Sequence, residues 1–234
     1  MLNKKTLNEE TFDKMFHEKE IIDYSSVSGK MGRRDTQITK TLKNHGISGK
    51  KCLDIGPGTG RWLQFLKDNG ASYLGIIDLS LESLKRCAAL CDKQQKANVE
   101  YEKFDFDSDF FDIIISFMVL EHLMNPDNYI SEMIRVTKNN GLLLLSIPNI
   151  LSFISRFRVL AGKLPTAVKS DKTHVKFYTK KELNRLFAPY SLKVEMIPTS
   201  ISINPYNPKS VRLVSNRFLS SFDDHLLFNI VVLK

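Results

Sequence analysis

Three groups of residues in this 234-residue chain have types and spacings that can do chemistry. The first is the run Leu53-Asp54-Ile55-Gly56-Pro57-Gly58-Thr59-Gly60, which reads as an apolar strand entering a glycine-rich turn and leaving as a helix. Glycine reaches left-handed backbone angles without a Cβ clash and lets a ligand approach the main chain closely. In an open α/β sheet such a turn, at the carboxyl end of the first strand, borders the ligand crevice. The second group is carboxylic. Asp78 lies 18 residues past Gly60, at the end of the next apolar run, where a carboxylate can accept hydrogen bonds from both hydroxyls of a ribose. Asp105 stands at the end of the expected third strand, in a stretch that also holds Asp107, Asp109 and Asp112. The third group is the pair His122 and His174. An imidazole that titrates near neutrality can take the proton of a hydroxyl nucleophile.

The spacing also excludes. A dinucleotide fingerprint needs its third glycine where Arg61 stands; here the pattern is G-x-G-x-G, which disfavours a nicotinamide cofactor. Cys52, Cys87 and Cys91 form neither a disulfide framework nor a metal-ligand spacing and read as small buried side chains. The formal net charge of +8 permits an anionic partner. The basic residues are scattered, however, and no zinc-finger spacing or aromatic-basic motif occurs, so no nucleic-acid partner is expected. No apolar run approaches the roughly 18–20 residues that cross a bilayer. The first twenty residues are charged throughout, without a signal-peptide core, so a cytoplasmic protein is expected.

The elements that must position these groups alternate. Residues 8–22 and 35–44 read as helices, the second ended by Gly46. Residues 51–55 form a strand, residues 61–69 a helix with Gly70 as its C-cap, and residues 72–77 a second strand. A helix starts at Ser80, with Leu81, Leu84, Ala88 and Leu90 inward and Ser83, Lys85 and Arg86 outward. Residues 99–104 read as a third strand. Residues 111–116 form a fourth, so continuously apolar that it belongs at the centre of the sheet. A helix over 126–137, an Asn139-Asn140-Gly141 turn and a fifth strand over 142–147 follow. Thr179 and Glu182 carry capping-box spacing at the head of a helix over 179–187. Residues 192–197 and 226–233 close the chain as strands that can pair antiparallel at the sheet edge. Repeated βα units of this length imply a parallel sheet with helices on both faces.

Further segments add to the glycine-rich turn: Phe111-Asp112-Ile113-Ile114-Ile115-Ser116, then Leu120-Glu121-His122-Leu123, then Gly141-Leu142-Leu143-Leu144-Leu145-Ser146-Ile147-Pro148-Asn149. With Asp54 and G-x-G-x-G, they resemble the motifs of class I S-adenosylmethionine-dependent methyltransferases. Within that superfamily the chain is similar to the branch of ubiquinone-biosynthesis O-methyltransferases and glycan or natural-product methyltransferases. The stretch Thr173-His174-Val175-Lys176-Phe177-Tyr178-Thr179-Lys180-Lys181-Glu182-Leu183 fits the same branch. The resemblance implies an α/β, three-layer αβα Rossmann-like fold, with a seven-stranded, mostly parallel sheet and an antiparallel last strand. It implies one methyltransferase domain over 1–234, with an N-terminal helical cap over 1–45 and substrate-side insertions at 149–178 and 198–224.

It also implies a site for S-adenosylmethionine. Asp54, Ile55, Gly56, Pro57, Gly58 and Gly60 border its methionine part, and Asp78 with Leu79 holds the ribose. Asp105 and Phe106 border the adenine, Phe117 contacts the cofactor, and Arg34 pairs with the methionine carboxylate. Metal-assisted members carry a carboxylate three residues before the Glu-His pair; Met118 stands there, so no metal is expected. His122 and His174 are the candidate bases. The implied reaction is methyl transfer to a small molecule or glycan, at a hydroxyl. An amine or RNA acceptor, or an inactive cofactor-binding partner subunit, is the alternative. Leu151, Ile154 and Arg158, or Phe153, Phe157 and Leu160, fall at helical spacing in the first insertion. Such a helix packs over the pocket as a lid or rests on a lipid-linked substrate or membrane surface. Lys163, Lys169, Lys209, Arg212 and Arg217 in the two insertions suit a phosphorylated or acidic acceptor. The oligomeric state is left open.

Overall fold

The computed structural model describes residues 33–170, 173–197 and 225–234. The expected helix over 8–22 and the insertion over 198–224, with Lys209, Arg212 and Arg217, lie outside them.

Helix α1 (Arg33–His45) ends at Gly46, whose φ of 81° stops it. Strand β1 (Lys51–Ile55), helix α2 (Arg61–Asp68), strand β2 (Tyr73–Asp78), helix α3 (Leu81–Cys87) and strand β3 (Lys93–Lys96) follow as βα units. Then come β4 (Phe111–Phe117), a 3₁₀ turn (Leu120–His122), α4 (Asp127–Val136) and β5 (Thr137–Pro148). The chain closes with α5 (Phe153–Leu160), α6 (Thr166–Ser170), α7 (Lys180–Phe187), β6 (Leu192–Ile197) and β7 (His225–Val232). The sheet order is β3-β2-β1-β4-β5-β7-β6. β7 alone runs antiparallel, paired to β5 on one side and β6 on the other. This is the expected seven-stranded fold.

β4 is central because both its faces are buried. Ile113 and Ile115 point to the layer where Ile38, Leu42, Leu63, Leu66 and Leu84 of α1, α2 and α3 gather. Ile114 points the other way, to Tyr129, Ile130 and Met133 of α4 and to Leu183 and Phe187 of α7. Leu142 and Leu144 of β5 join the first layer, Leu143 and Leu145 the second. One strand period thus serves two helical layers. The expected capping box is formed: Thr179 Oγ1 accepts from Glu182 N, and Thr179 N donates to Glu182 Oε2 at 2.7 Å. The three cysteines are unpaired, as expected.

Four expectations are corrected. β3 is the polar stretch Lys93–Lys96, not residues 99–104. Among the described residues it pairs only with β2, at the sheet edge, where a strand needs no apolar pattern. The buried face of α3 carries Ser83, Leu84 and Cys87, while Leu81 is exposed; Ser80 as N-cap sets that phase. The Asn139-Asn140-Gly141 turn is absorbed into β5 as an irregularity, Phe111 pairing with Thr137 and Ile113 with Leu142, with Asn140 at φ 60°. Finally, α5 does not bury an apolar face. Its contact with the body is through Ser155, and Phe153, Ile154, Phe157, Val159 and Leu160 are exposed.

Candidate active site

Strand order reverses between β1 and β4, so a crevice opens at their carboxyl ends. The glycine turn sits there. Gly56, Gly58 and Gly60 have φ of 73°, 56° and 80°, the left-handed region that side chains avoid. Gly56 N donates to Ile77 O at 2.8 Å, which pins the turn to the end of β2. A Cβ on Gly56 would lie 2.5 Å from Val119 Cγ2, so this turn packs directly against the loop that carries the Leu-Glu-His segment. At Gly58 a Cβ would meet nothing within 4 Å, so the turn is open on that side. Behind the turn, the Tyr129 hydroxyl donates to Ser116 Oγ at 2.6 Å, and Ser116 donates to Ile55 O at 3.1 Å. A buried network therefore holds the end of β1 in place.

Two carboxylates converge on the turn. Asp54 is buried, and its Oδ2 has no hydrogen-bond partner among the described residues. Burial first, then the charge of nearby Asp78, pushes its carboxyl well above the usual carboxylate range. Asp78 closes β2. Its Oδ1 accepts from Ser80 N at 2.9 Å, and its Oδ2 accepts from the Ser83 hydroxyl at 2.6 Å. Burial raises its pKa, and the Ser83 and Ser80 hydrogen bonds oppose that rise. Ser83 Oγ also lies 3.2 Å from Gly58 O, so one serine ties the carboxylate to the glycine turn. Sequence reading missed Ser83 because it assigned that residue to the solvent face.

Arg34 lies near this edge. It contacts Asp35 at 3.4 Å, and Asp35 binds Arg61, the residue after Gly60, at 2.9 Å. The pair joins α1 to the head of α2. Arg61, which interrupts a dinucleotide fingerprint, is here the partner that makes this join. Phe117 ends β4 and packs edge-on against Trp62 of α2, ring centres 5.4 Å apart.

Asp105 and Phe106 lie elsewhere. Asp105 is 75% exposed and bridges Lys93 at 2.8 Å; its backbone N–H is held by Gln95. Phe106 packs on Phe110 and Phe111. Both line a cavity of about 470 Å³ with Tyr73, Lys93, Lys103 and Phe110; Tyr73 and Lys93 begin β2 and β3, and Phe110 precedes β4. This is the amino edge of the sheet, opposite Asp78. The adenine assignment of Asp105 and Phe106 is therefore corrected. Its physical cause is the misplaced third strand: with β3 ending at Lys96, the residues that leave it at the carboxyl edge are Ala97 to Glu100. Asn98 and Glu100 are buried there, Ala97 N donates to Asp78 O at 3.1 Å, and Glu100 accepts from Asn125 N at 3.0 Å.

His122 and His174 do come together, ring centres 5.0 Å apart. His122 Nδ1 lies 3.1 Å from Thr173 O, and His174 Nδ1 lies 2.8 Å from Ala167 O. A carbonyl only accepts, so each Nδ1 carries the proton and each Nε2 is turned elsewhere. His174 Nε2 is 3.9 Å from Glu121 Oε1. Glu121 is buried, and its carbonyl receives both Val175 N and Lys176 N at 3.0 Å, which clamps the two segments. Glu121, His122 and His174 each offer a ligand atom, all within 4.8 Å of one another. One carboxylate and two imidazoles suit a transition metal better than magnesium.

These features fit S-adenosylmethionine: an orphaned buried carboxylate oxygen at Asp54, a glycine turn open at Gly58, and a carboxylate closing β2. Comparison with known proteins agrees. The "Methyltransferase domain" family model matches residues 31–196. The chain belongs to that family and is a class I S-adenosylmethionine-dependent methyltransferase, with S-adenosylmethionine as its cofactor. It is similar to the ubiquinone biosynthesis O-methyltransferase of Glaesserella parasuis serovar 5 (strain SH0165), 34% identical over 117 residues that cover 46% of this chain and 49% of the relative. It is 28% identical over 190 residues to the mitochondrial ubiquinone biosynthesis O-methyltransferase of Rattus norvegicus, covering 74% of this chain and 53% of that protein. The chain spans about half the length of the curated relatives it matches. Its fold is that of the S-adenosylmethionine-dependent methyltransferase of Mesorhizobium loti (TM-score 0.59, 15% identical, 86% of this chain and 98% of that one). The methyltransferase of Aquifex aeolicus is similar too (TM-score 0.57, 16% identical, 83% and 89%). No helix among the described residues is long and apolar enough to cross a membrane.

Proposed function

We propose that this protein transfers the methyl group to a hydroxyl oxygen of a small-molecule or glycan acceptor, with His122 as the base. The observation that carries the reading is the histidine pair beside the glycine turn. Each Nδ1 is fixed on a carbonyl, so the accepting atom of each ring is Nε2, and His122 stands on the loop that packs against Gly56 through Val119. His174 is a positioning residue. The relatives are named O-methyltransferases, which supports oxygen as the acceptor atom.

When bound, the cofactor supplies a methyl group already activated on a sulfonium sulfur. The chain's own residues do the rest. The backbone of Ile55–Gly60, including Pro57, lines the methionine part, with Asp54 behind it and Arg34 at its carboxylate. Asp78 and Leu79 take the ribose, and Asn98 replaces Asp105 on the adenine side. Phe117 walls the crevice. His122 Nε2 takes the proton that the acceptor hydroxyl loses as it is methylated, and residues 149–178 form the substrate side and exclude water. Lys163 and Lys169 there suit a phosphorylated or acidic acceptor. The reading places the reaction in the cytoplasm, without a nucleic-acid partner.

The test is transfer of labelled methyl to a panel of sugars, phenols, amines and RNA. Hydroxyl labelling, lost in His122→Asn with S-adenosylhomocysteine affinity unchanged, is expected. Labelling of amines or RNA alone overturns the oxygen assignment, and no labelling with intact cofactor binding makes the chain a partner subunit. A second reading rests on the compact Glu121, His122 and His174 group: a divalent cation bound there orients the acceptor oxygen. Metal analysis of purified protein and activity after chelation separate it from metal-free catalysis.

A further inference from the structure

Twelve large apolar side chains are exposed among the described residues, and seven of them fall between Leu151 and Leu164. They are Leu151, Phe153, Ile154, Phe157, Val159, Leu160 and Leu164; Leu160 is 84% exposed and Leu164 62%. Helix α5 is amphipathic in the reverse sense. Its buried contact is polar: Ser152 Oγ and Ser155 Oγ hydrogen-bond at 2.9 Å inside the protein. Its apolar side chains face out. A contiguous exposed apolar patch on a stable domain marks an interaction surface.

Charge selects the occupant. Residues 149–170 contain Arg156, Arg158, Lys163 and Lys169 and not one Asp or Glu. A second copy of this chain meeting its own patch would set like charges against each other across the symmetry axis. An anionic lipid surface complements both features: aromatic and aliphatic side chains enter the acyl boundary while the basic residues meet the headgroups. We propose that the α5–α6 hairpin docks this protein on an anionic membrane surface.

The docked element is directly connected to the candidate base pair. Arg158 Nε donates to Leu164 O at 2.7 Å, which closes the turn after α5, and Ala167 O of α6 holds His174 Nδ1 at 2.8 Å. Docking therefore sets the substrate side of the crevice against the bilayer. The inference stands on exposure and charge, independently of the acceptor proposed above.

The experiment is flotation of the full chain with vesicles of pure phosphatidylcholine or of phosphatidylcholine with phosphatidylglycerol. The double variant Phe157→Asp with Leu160→Asp removes the apolar part, and Arg156→Gln with Lys163→Gln removes part of the charge. Expected is binding to the anionic vesicles that falls with salt, at least tenfold weaker partitioning for the apolar variant, and about fivefold weaker partitioning per neutralised basic residue. Both variants keep wild-type melting and S-adenosylhomocysteine affinity, because these side chains are solvent-exposed; this readout separates failure of docking from failure of the cofactor site. Absence of binding to anionic vesicles, equal partitioning of the apolar variant, or a solution dimer that the apolar variant dissolves would each overturn the proposal.

Discussion

The two edges of the sheet treat their carboxylates in opposite ways. At the amino edge, Asp112 accepts from Lys51 N and Lys138 Nζ at 2.9 Å each. Nearby, Glu132 is gripped by both ends of the Arg135 guanidinium at 2.8 and 2.7 Å and by Phe104 N. Against the cost of burial, these hydrogen bonds hold both carboxyls below their usual range. At the carboxyl edge, among the described residues, Asp54 lacks a partner on Oδ2 and no cation is paired with Asp78, and both are pushed up. The first edge is satisfied by the protein itself. The second is an incomplete polar site of the kind that a ligand bringing hydroxyls and a positive charge would complete.

The largest break in this contrast is Asp78→Ala. Charged hydrogen bonds are worth about 1.5–3 kcal/mol, so S-adenosylhomocysteine affinity falls roughly ten- to a hundredfold by calorimetry while the fold persists. Retained affinity would remove the ribose assignment and with it the functional reading of this edge. Gly56→Ala comes next: the new methyl meets Val119 at 2.5 Å in a backbone region that costs about 1–2 kcal/mol for a side chain. Cofactor affinity and turnover both drop, because the same contact supports the loop of His122.

The satisfied edge responds in stability instead. Glu132→Ala strands the Arg135 guanidinium, which also donates to Phe104 O and Phe106 O at 2.9 Å. A loss of about 2 kcal/mol, or a Tm lower by about 4–8 °C, is expected with cofactor affinity unchanged. The pH dependence differs in sign between the edges. Asp54 and Asp78 bind protons more tightly folded than unfolded, so the ligand-free protein gains stability as pH falls from their raised values toward 3.8. Asp112 and Glu132 do the reverse: their stabilisation is lost only as pH drops below 3.8 and 4.5. Thermal melts of wild type and Asp54→Asn across mildly acidic to neutral pH check this; the variant flattens the curve and loses cofactor affinity.

What could be read from the residues follows the same division. β1, β2, β4 and β5 are legible because they are buried on both faces and therefore continuously apolar, and the glycine turn is legible because only glycine takes its backbone angles. The resemblance marks His122 and His174 singly; that their ring centres lie 5.0 Å apart is set by the tertiary fold. β3 was not legible. Lys93–Lys96 is an edge strand, half exposed, whose residues carry no alternating apolar signal, whereas 99–106 mixes apolar residues into a strand-like pattern while packing as loop: Phe104 and Phe106 are buried by Arg135 holding their carbonyls. Ser83 was lost to the same kind of error. A small hydroxyl reads as surface, and only tertiary placement shows it bonded to Asp78.

The smallest expected effect is the one that separates the two edges most cleanly. Asp105→Ala removes a pair with Lys93 in which Asp105 is mostly solvated, a contact worth about 0–1 kcal/mol. It lies at the amino edge, so S-adenosylhomocysteine affinity is expected to stay within about twofold. Asn98→Ala, buried where β3 leaves the sheet beside Asp78, is expected to weaken it several-fold, since a buried hydrogen bond contributes about 1 kcal/mol. If calorimetry returned the opposite order, the carboxyl end of β3 would have to lie where the residues first suggested, and Asp105 would regain the adenine.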